Sequence, residues 1–84
     1  MTQPAAVTHD PESARFTSGA AFLAYERSDG RLALLHTDVP GELEGRGVGG
    51  ALVRQAVAWA RGEGLEVVPL CPFAASWLER NPDA

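Results

Sequence analysis

Glu44-Gly45-Arg46-Gly47-Val48-Gly49-Gly50-Ala51 puts four glycines into six consecutive positions, immediately ahead of a long run with helical periodicity. The first N–H groups of a helix have no partner inside it, and Ser, Thr, Asp or Asn usually satisfies one of them. No such residue stands here. An anion can take that role, because the helix dipole and bare amides favour phosphate and glycine lets it approach the backbone. The competing reading is that the glycines only make a sharp turn against a sheet.

On the C-terminal side of this loop, Val48, Leu52, Ala56 and Trp59 recur at helical spacing, while Arg54, Gln55 and Arg61 face water. Gly62 and Gly64 end that helix. Leu65 to Leu70 is an apolar run of strand length, and strand, helix, strand implies a parallel pair joined by a crossover. A short helix follows, with Pro72 in its first turn, Phe73 and Trp77 on its buried face, and Asn81-Pro82 as its stop.

On the N-terminal side, Ala14 to Thr17, the turn Ser18-Gly19, and Ala20 to Glu26 read as strand, turn, strand. Ser28-Asp29-Gly30 turns the chain into a third strand, Arg31 to Val39. Strict alternation there puts Leu32, Leu34 and His36 on one face and Ala33, Leu35, Thr37 and Val39 on the other, both largely buried. Pro40 ends the ladder. Residues 1–10 lack periodicity and are expected to form a loose or partly extended arm, leaving one domain over residues 11–84. The fold class expected is α/β, an α+β arrangement with a mixed sheet of about four strands and two helices.

A chain of 84 residues holds one small core. All seven basic residues are arginine, against eleven carboxylates, for a net charge of −4. Nucleic acid is therefore not an expected partner, since its binding rests on basic surface. No apolar stretch approaches the ~20 residues that cross a bilayer, and Met1-Thr2-Gln3-Pro4 lacks the features of a signal peptide, so no membrane partner and a cytoplasmic location are expected. Cys71 is the single cysteine, and Glu42, Glu44, Glu63 and Glu66 have no metal-ligand spacing, so no metal is expected. A Walker A loop requires a lysine, and the chain contains none. Gly45, Gly47 and Gly50 satisfy a lone GxGxxG, but Pro40 to Glu44 separates it from the preceding strand, where a dinucleotide fold would join them directly.

Three segments together carry a resemblance: His36-Thr37-x-Val39-Pro40, Gly45-Arg46-Gly47-Val48-Gly49, and Val68-Pro69-Leu70-Cys71-Pro72-Phe73. Over about residues 14–82 the chain resembles the minimal, single-domain members of the GNAT N-acetyltransferase superfamily. That resemblance implies a GNAT-like acyl-CoA N-acyltransferase fold, with acetyl-CoA or coenzyme A as cosubstrate and an amine of unspecified identity as acceptor. It places the pyrophosphate on Gly45, Arg46, Gly47, Val48, Gly49, Gly50 and Ala51. The pantetheine arm would run between Thr37, Asp38 and Val39 and the end of the later strand, toward Cys71, Pro72 and Phe73. Glu44 stands where the superfamily usually has arginine or glutamine at the head of the loop, and the N-terminal helices that usually shape the acceptor site are missing.

Two residues are candidates for catalysis. Cys71 precedes Pro72 and so caps the last helix, where the dipole favours a thiolate; it would accept the acetyl group or protonate departing CoA, and the bland reading is a buried apolar residue. His36 titrates near neutrality and would serve as general base, or simply hydrogen-bond within the core. Tyr25, the only tyrosine, lies in the second strand and does not replace the tyrosine acid of larger relatives. His9 is expected in solvent, and Trp59, Trp77 and Phe73 in the core. The alternative to an acetyltransferase is a non-catalytic acyl-CoA sensor or interaction module.

Overall fold

The computed structural model describes residues 6–84, and the first half of the expected arm lies outside them. Five strands and two helices follow in order: β1 (Thr8–Asp10), β2 (Arg15–Ser18), β3 (Ala21–Ser28), β4 (Arg31–Asp38), a 3₁₀ turn (Gly41–Leu43), α1 (Val48–Gly62), β5 (Glu66–Pro69) and α2 (Pro72–Arg80). The sheet runs β1-β2-β3-β4-β5, antiparallel up to β4 and parallel between β4 and β5. It is the mixed sheet with two helices that the patterning implied, with one strand more.

That extra strand takes up the end of the expected arm as paired backbone. Thr8, His9 and Asp10 pair with Thr17, Phe16 and Arg15. His9 is not in solvent: its ring stacks on Phe16 with centroids 4.2 Å apart, meets the edge of Trp59, and its Nε2 lies 2.6 Å from the Tyr25 hydroxyl. A three-residue strand is too short to show alternation, so its partner had to be found in space.

The core lies between one face of the sheet and the helices. Leu23, Leu32, Leu34, Leu52 and Val53 are fully buried, and Ala56, Val57, Ala60, Ala74 and Trp77 extend the helix side. Both helices cover the same face, α1 reaching β2 to β5 and α2 reaching β4 and β5. The other face has no covering layer among the described residues. In α2, Ala74 and Trp77 supply the buried stripe. Phe73, expected beside Trp77, is instead 40% exposed and rests over Gly49 of α1.

The strict alternation expected along β4 fails at one place. Tyr25 pairs with Leu34 but Ala24 pairs with His36, so Leu35 is an extra residue, a β-bulge. An inserted residue resets the two-residue period. His36 therefore lies on the uncovered face opposite Ala24, and Thr37, opposite buried Leu23, turns to the helix face with Leu32 and Leu34. His36 is exposed rather than in the core.

Candidate functional site

The β4–β5 ladder ends at Leu34 and Pro69. Beyond it the Leu34 carbonyl accepts two hydrogen bonds, from Leu70 N–H at 3.0 Å and Cys71 N–H at 2.9 Å. β4 continues to Asp38 while the chain after Pro69 turns into α2. A parallel pair that parts in this way opens a cleft at the carboxyl end of its strands, where α/β sheets hold ligands.

A cavity of about 500 Å³ occupies this end of the molecule. Thr37, Asp38 and Val39 at the end of β4, Gly45, Gly47, Val48, Gly49 and Gly50 at the start of α1, and Phe73 of α2 line it. Leu43 and Glu44 also line it. Nine of the expected cofactor-binding residues are thus brought together. Arg46, Ala51 and Pro72 are not on its wall, nor are Cys71 and His36, the two catalytic candidates. Among the described residues the charged side chains on the wall are those of Asp38 and Glu44.

The glycines divide into two groups by what they do. Gly45 and Gly47 have φ of 79° and 76°, a left-handed conformation that costs other residues roughly 1–2 kcal/mol. Nothing lies within 4 Å of a Cβ built on either, so their surroundings are open. A Cβ on Gly49 would come within 2.6 Å of the Phe73 ring, and one on Gly50 within 2.9 Å of Trp77 Nε1. These two glycines let α2 lie against the first turn of α1. Gly45 and Gly47 thus make the turn with open space beside them, while Gly49 and Gly50 are small for helix packing.

Gly47 is the N-cap of α1 and supplies no side-chain cap. The first helical bond runs from Ala51 N–H to the Gly47 carbonyl, and among the described residues the amides of Val48, Gly49 and Gly50 have no protein acceptor. Three bare amides at a positive helix end, on a wall stripped of β-carbons, fit a phosphate-bearing group. Glu44 opposes that fit in charge, but it is exposed, where solvent screens it.

Cys71 is the N-cap of α2, with Pro72 as the first helical residue and only 5% of the side chain exposed. Its Sγ lies 3.4 Å from Thr37 Oγ1. Burial pushes the thiol pKa up, yet the Thr37 hydroxyl and the amides of Ala74, Phe73 and Thr37 more than offset this, and the pKa ends below its ordinary value. The bulge produces this contact: without Leu35 as an extra residue, Thr37 would point away from α2. Thr37 entered the sequence reading as a cofactor-binding residue, not as a partner of the thiol. Nothing in the linear pattern marked the bulge.

Tyr25 is buried, its hydroxyl held by His9. Burial raises its pKa, the nearby Arg27 lowers it, and Asp10 raises it, with a net rise. It belongs to the aromatic cluster of His9, Phe16 and Trp59, and makes no hydrogen bond with Cys71.

The helices on one face of the sheet, the parting of β4 and β5 and the glycine-capped α1 define a small α/β domain with a candidate anion-binding cleft. Compared with protein families, residues 13–84 match the model of the GCN5-related N-acetyl-transferase family, and no curated protein matches the chain. The chain belongs to the GCN5-related N-acetyltransferase family.

Proposed function

We propose that the protein binds acetyl-CoA in the cleft between β4 and α1 and transfers the acetyl group to an amine, with Cys71 as the group that handles the thioester. The observation that carries this reading is the set of three bare helix amides on the wall of a cleft whose Thr37 contacts a thiol of lowered pKa. Val48, Gly49 and Gly50 N–H would hold the pyrophosphate, while Thr37 to Val39 would line the pantetheine path. Arg46 is exposed and off the cavity wall, so it adds at most a screened contact at the rim.

Cys71 suits a nucleophile better than an acid, because every hydrogen bond in its surroundings favours the thiolate. Thiolate attack on the thioester carbonyl forms a Cys71 acetyl thioester and releases CoA as thiolate, which takes a proton from solvent. The amine then attacks that thioester, the new N–C bond replaces the S–C bond, and the Cys71 thiolate returns. The amine proton leaves to water, because His36 lies on the opposite face of the sheet from the Cys71–Thr37 pair. A small domain located in the cytoplasm would meet acetyl-CoA there.

Thermal melts with CoA, NAD and ATP test the binding. At one hundred times the dissociation constant, CoA should stabilise the fold by roughly 2.7 kcal/mol, about ten degrees or more for a domain this small. No shift with saturating CoA refutes the proposal. An acetyl-CoA sensor without transfer is separated from an enzyme by whether acetyl-CoA leaves a mass increase of one acetyl group on Cys71.

A further inference from the structure

Carboxylates outnumber arginines in this chain, yet among the described residues the ion pairs formed are those of Arg27 with Glu63 and Arg31 with Glu66. Arg54 and Arg80 take part in neither, and both line a second cavity of about 300 Å³ between α1 and the segment that follows α2. Asp83 also lines it, but is exposed and pairs with neither guanidinium.

Each of the two guanidinium groups is held by something other than an opposite charge. Arg54 lies over the Trp77 ring at 5.2 Å, a contact that fixes its position without neutralising it. Arg80 donates from Nη1 to Ser76 Oγ at 3.3 Å, which occupies one of its five N–H groups. A positive charge in the last turn of α2 suits the helix dipole, but Arg54 lies in the middle of α1 and has no such reason to be there.

Trp77 joins this cavity to the cleft. The ring that carries Arg54 brings its Nε1 within 2.9 Å of the place a Gly50 Cβ would occupy, and Gly50 supplies one of the three bare amides. Arg54 follows Gly50 by four residues, about one turn along the same side of α1, and helical side chains lean toward the helix N-terminus. The Arg54 guanidinium therefore stands about one turn from the amides, outside the cleft and on the α2 side.

We infer that Arg54 and Arg80 form a phosphomonoester site whose occupant is the 3′-phosphate of coenzyme A. This rests on the CoA-binding reading above and adds to it a second anion site. In CoA the diphosphate joins pantetheine to adenosine. With pantetheine running inward along Thr37 to Val39, adenosine leaves the cleft at its outer end, and the ribose holds the 3′-phosphate one sugar away from the diphosphate. A doubly charged phosphomonoester carries enough acceptor oxygens for two guanidinium forks. It also removes the repulsion between two unpaired cations on one small cavity.

Calorimetry of the full chain with CoA and with 3′-dephospho-CoA, which lacks only that phosphate, tests the site. CoA should bind about tenfold tighter or better at low ionic strength, and the ratio should shrink as salt is added. Arg54→Gln and Arg80→Gln should each reduce that ratio several-fold by weakening CoA alone. Both positions are exposed, so the melting temperatures should stay close to that of the parent. Equal affinity of the parent for the two ligands overturns the inference, and that comparison needs no variant. A ratio unchanged in either variant overturns it too, as does equal weakening of both ligands, which would mark a packing role for the stack on Trp77. Failure of the parent to bind either ligand instead overturns the reading beneath it.

Discussion

Replacing Thr37 by valine removes one hydroxyl from the Cys71 surroundings and leaves the α2 amides in place. The contact is 3.4 Å, ordinary for sulfur, and a hydrogen bond to a charged group contributes about 1.5 kcal/mol at the low end of its range. That corresponds to roughly a tenfold drop in the thiolate fraction at a pH below the titration. The thiolate that remains is more basic and more nucleophilic. With a Brønsted slope of about 0.5, it regains roughly threefold. Alkylation by iodoacetamide at neutral pH should therefore slow about threefold in Thr37→Val, and the midpoint of its rate–pH profile should move up. Thr37→Ser keeps the hydroxyl and should retain most of the parent profile. Both profiles are read against that of the urea-unfolded chain, whose midpoint should lie above that of the folded parent. A Thr37→Val profile identical to the parent, or one shifted down, would refute the assignment of Thr37 as the partner of the thiolate.

Cys71→Ala should bind CoA nearly as well as the parent and lose most acetyl transfer, and unchanged turnover would return the residue to a packing role. Gly47→Asn tests the cradle: asparagine tolerates the left-handed conformation, so the melting temperature should change little, while its side chain at the bare amides weakens CoA binding by tenfold or more by calorimetry. Glu44→Gln removes a like charge from the rim and should tighten CoA binding a few-fold at low ionic strength, with the gain shrinking as salt is added. Burial lowers the pKa of His9 and nearby Asp10 only partly opposes it, so the neutral ring is the form that folding favours. Its contribution to stability is whole above the ordinary imidazole value, about 6.5, and is lost as the pH falls below it. Denaturant midpoints over that range should fall more for the parent than for His9→Gln, and parallel curves would show that the histidine stack is not sensitive to its charge.

Much of the architecture followed from local pattern. The glycines around Ser18-Gly19 and Asp29-Gly30 marked the hairpins, and the stripe from Val48 through Ala56 marked the helix, because backbone conformation and apolar period are properties of neighbouring residues. The bare amides at Gly47 were equally legible, since a missing cap is visible in the residues themselves. The bulge at Leu35 was not, because an inserted residue is defined by the register of the partner strand and not by its own chemistry. It exchanged the faces of His36 and Thr37, and with that decided which of them meets the thiol. The short strand at Thr8–Asp10 likewise exists through Phe16, Tyr25 and Trp59, three residues distant in the chain that give His9 somewhere to stack. The need of Gly49 and Gly50 for small size was hidden for the same reason: Phe73 and Trp77, more than twenty residues later, fill the space a side chain would take. Local sequence determined where the backbone could turn, coil or extend; contacts between distant segments decided which side chains met.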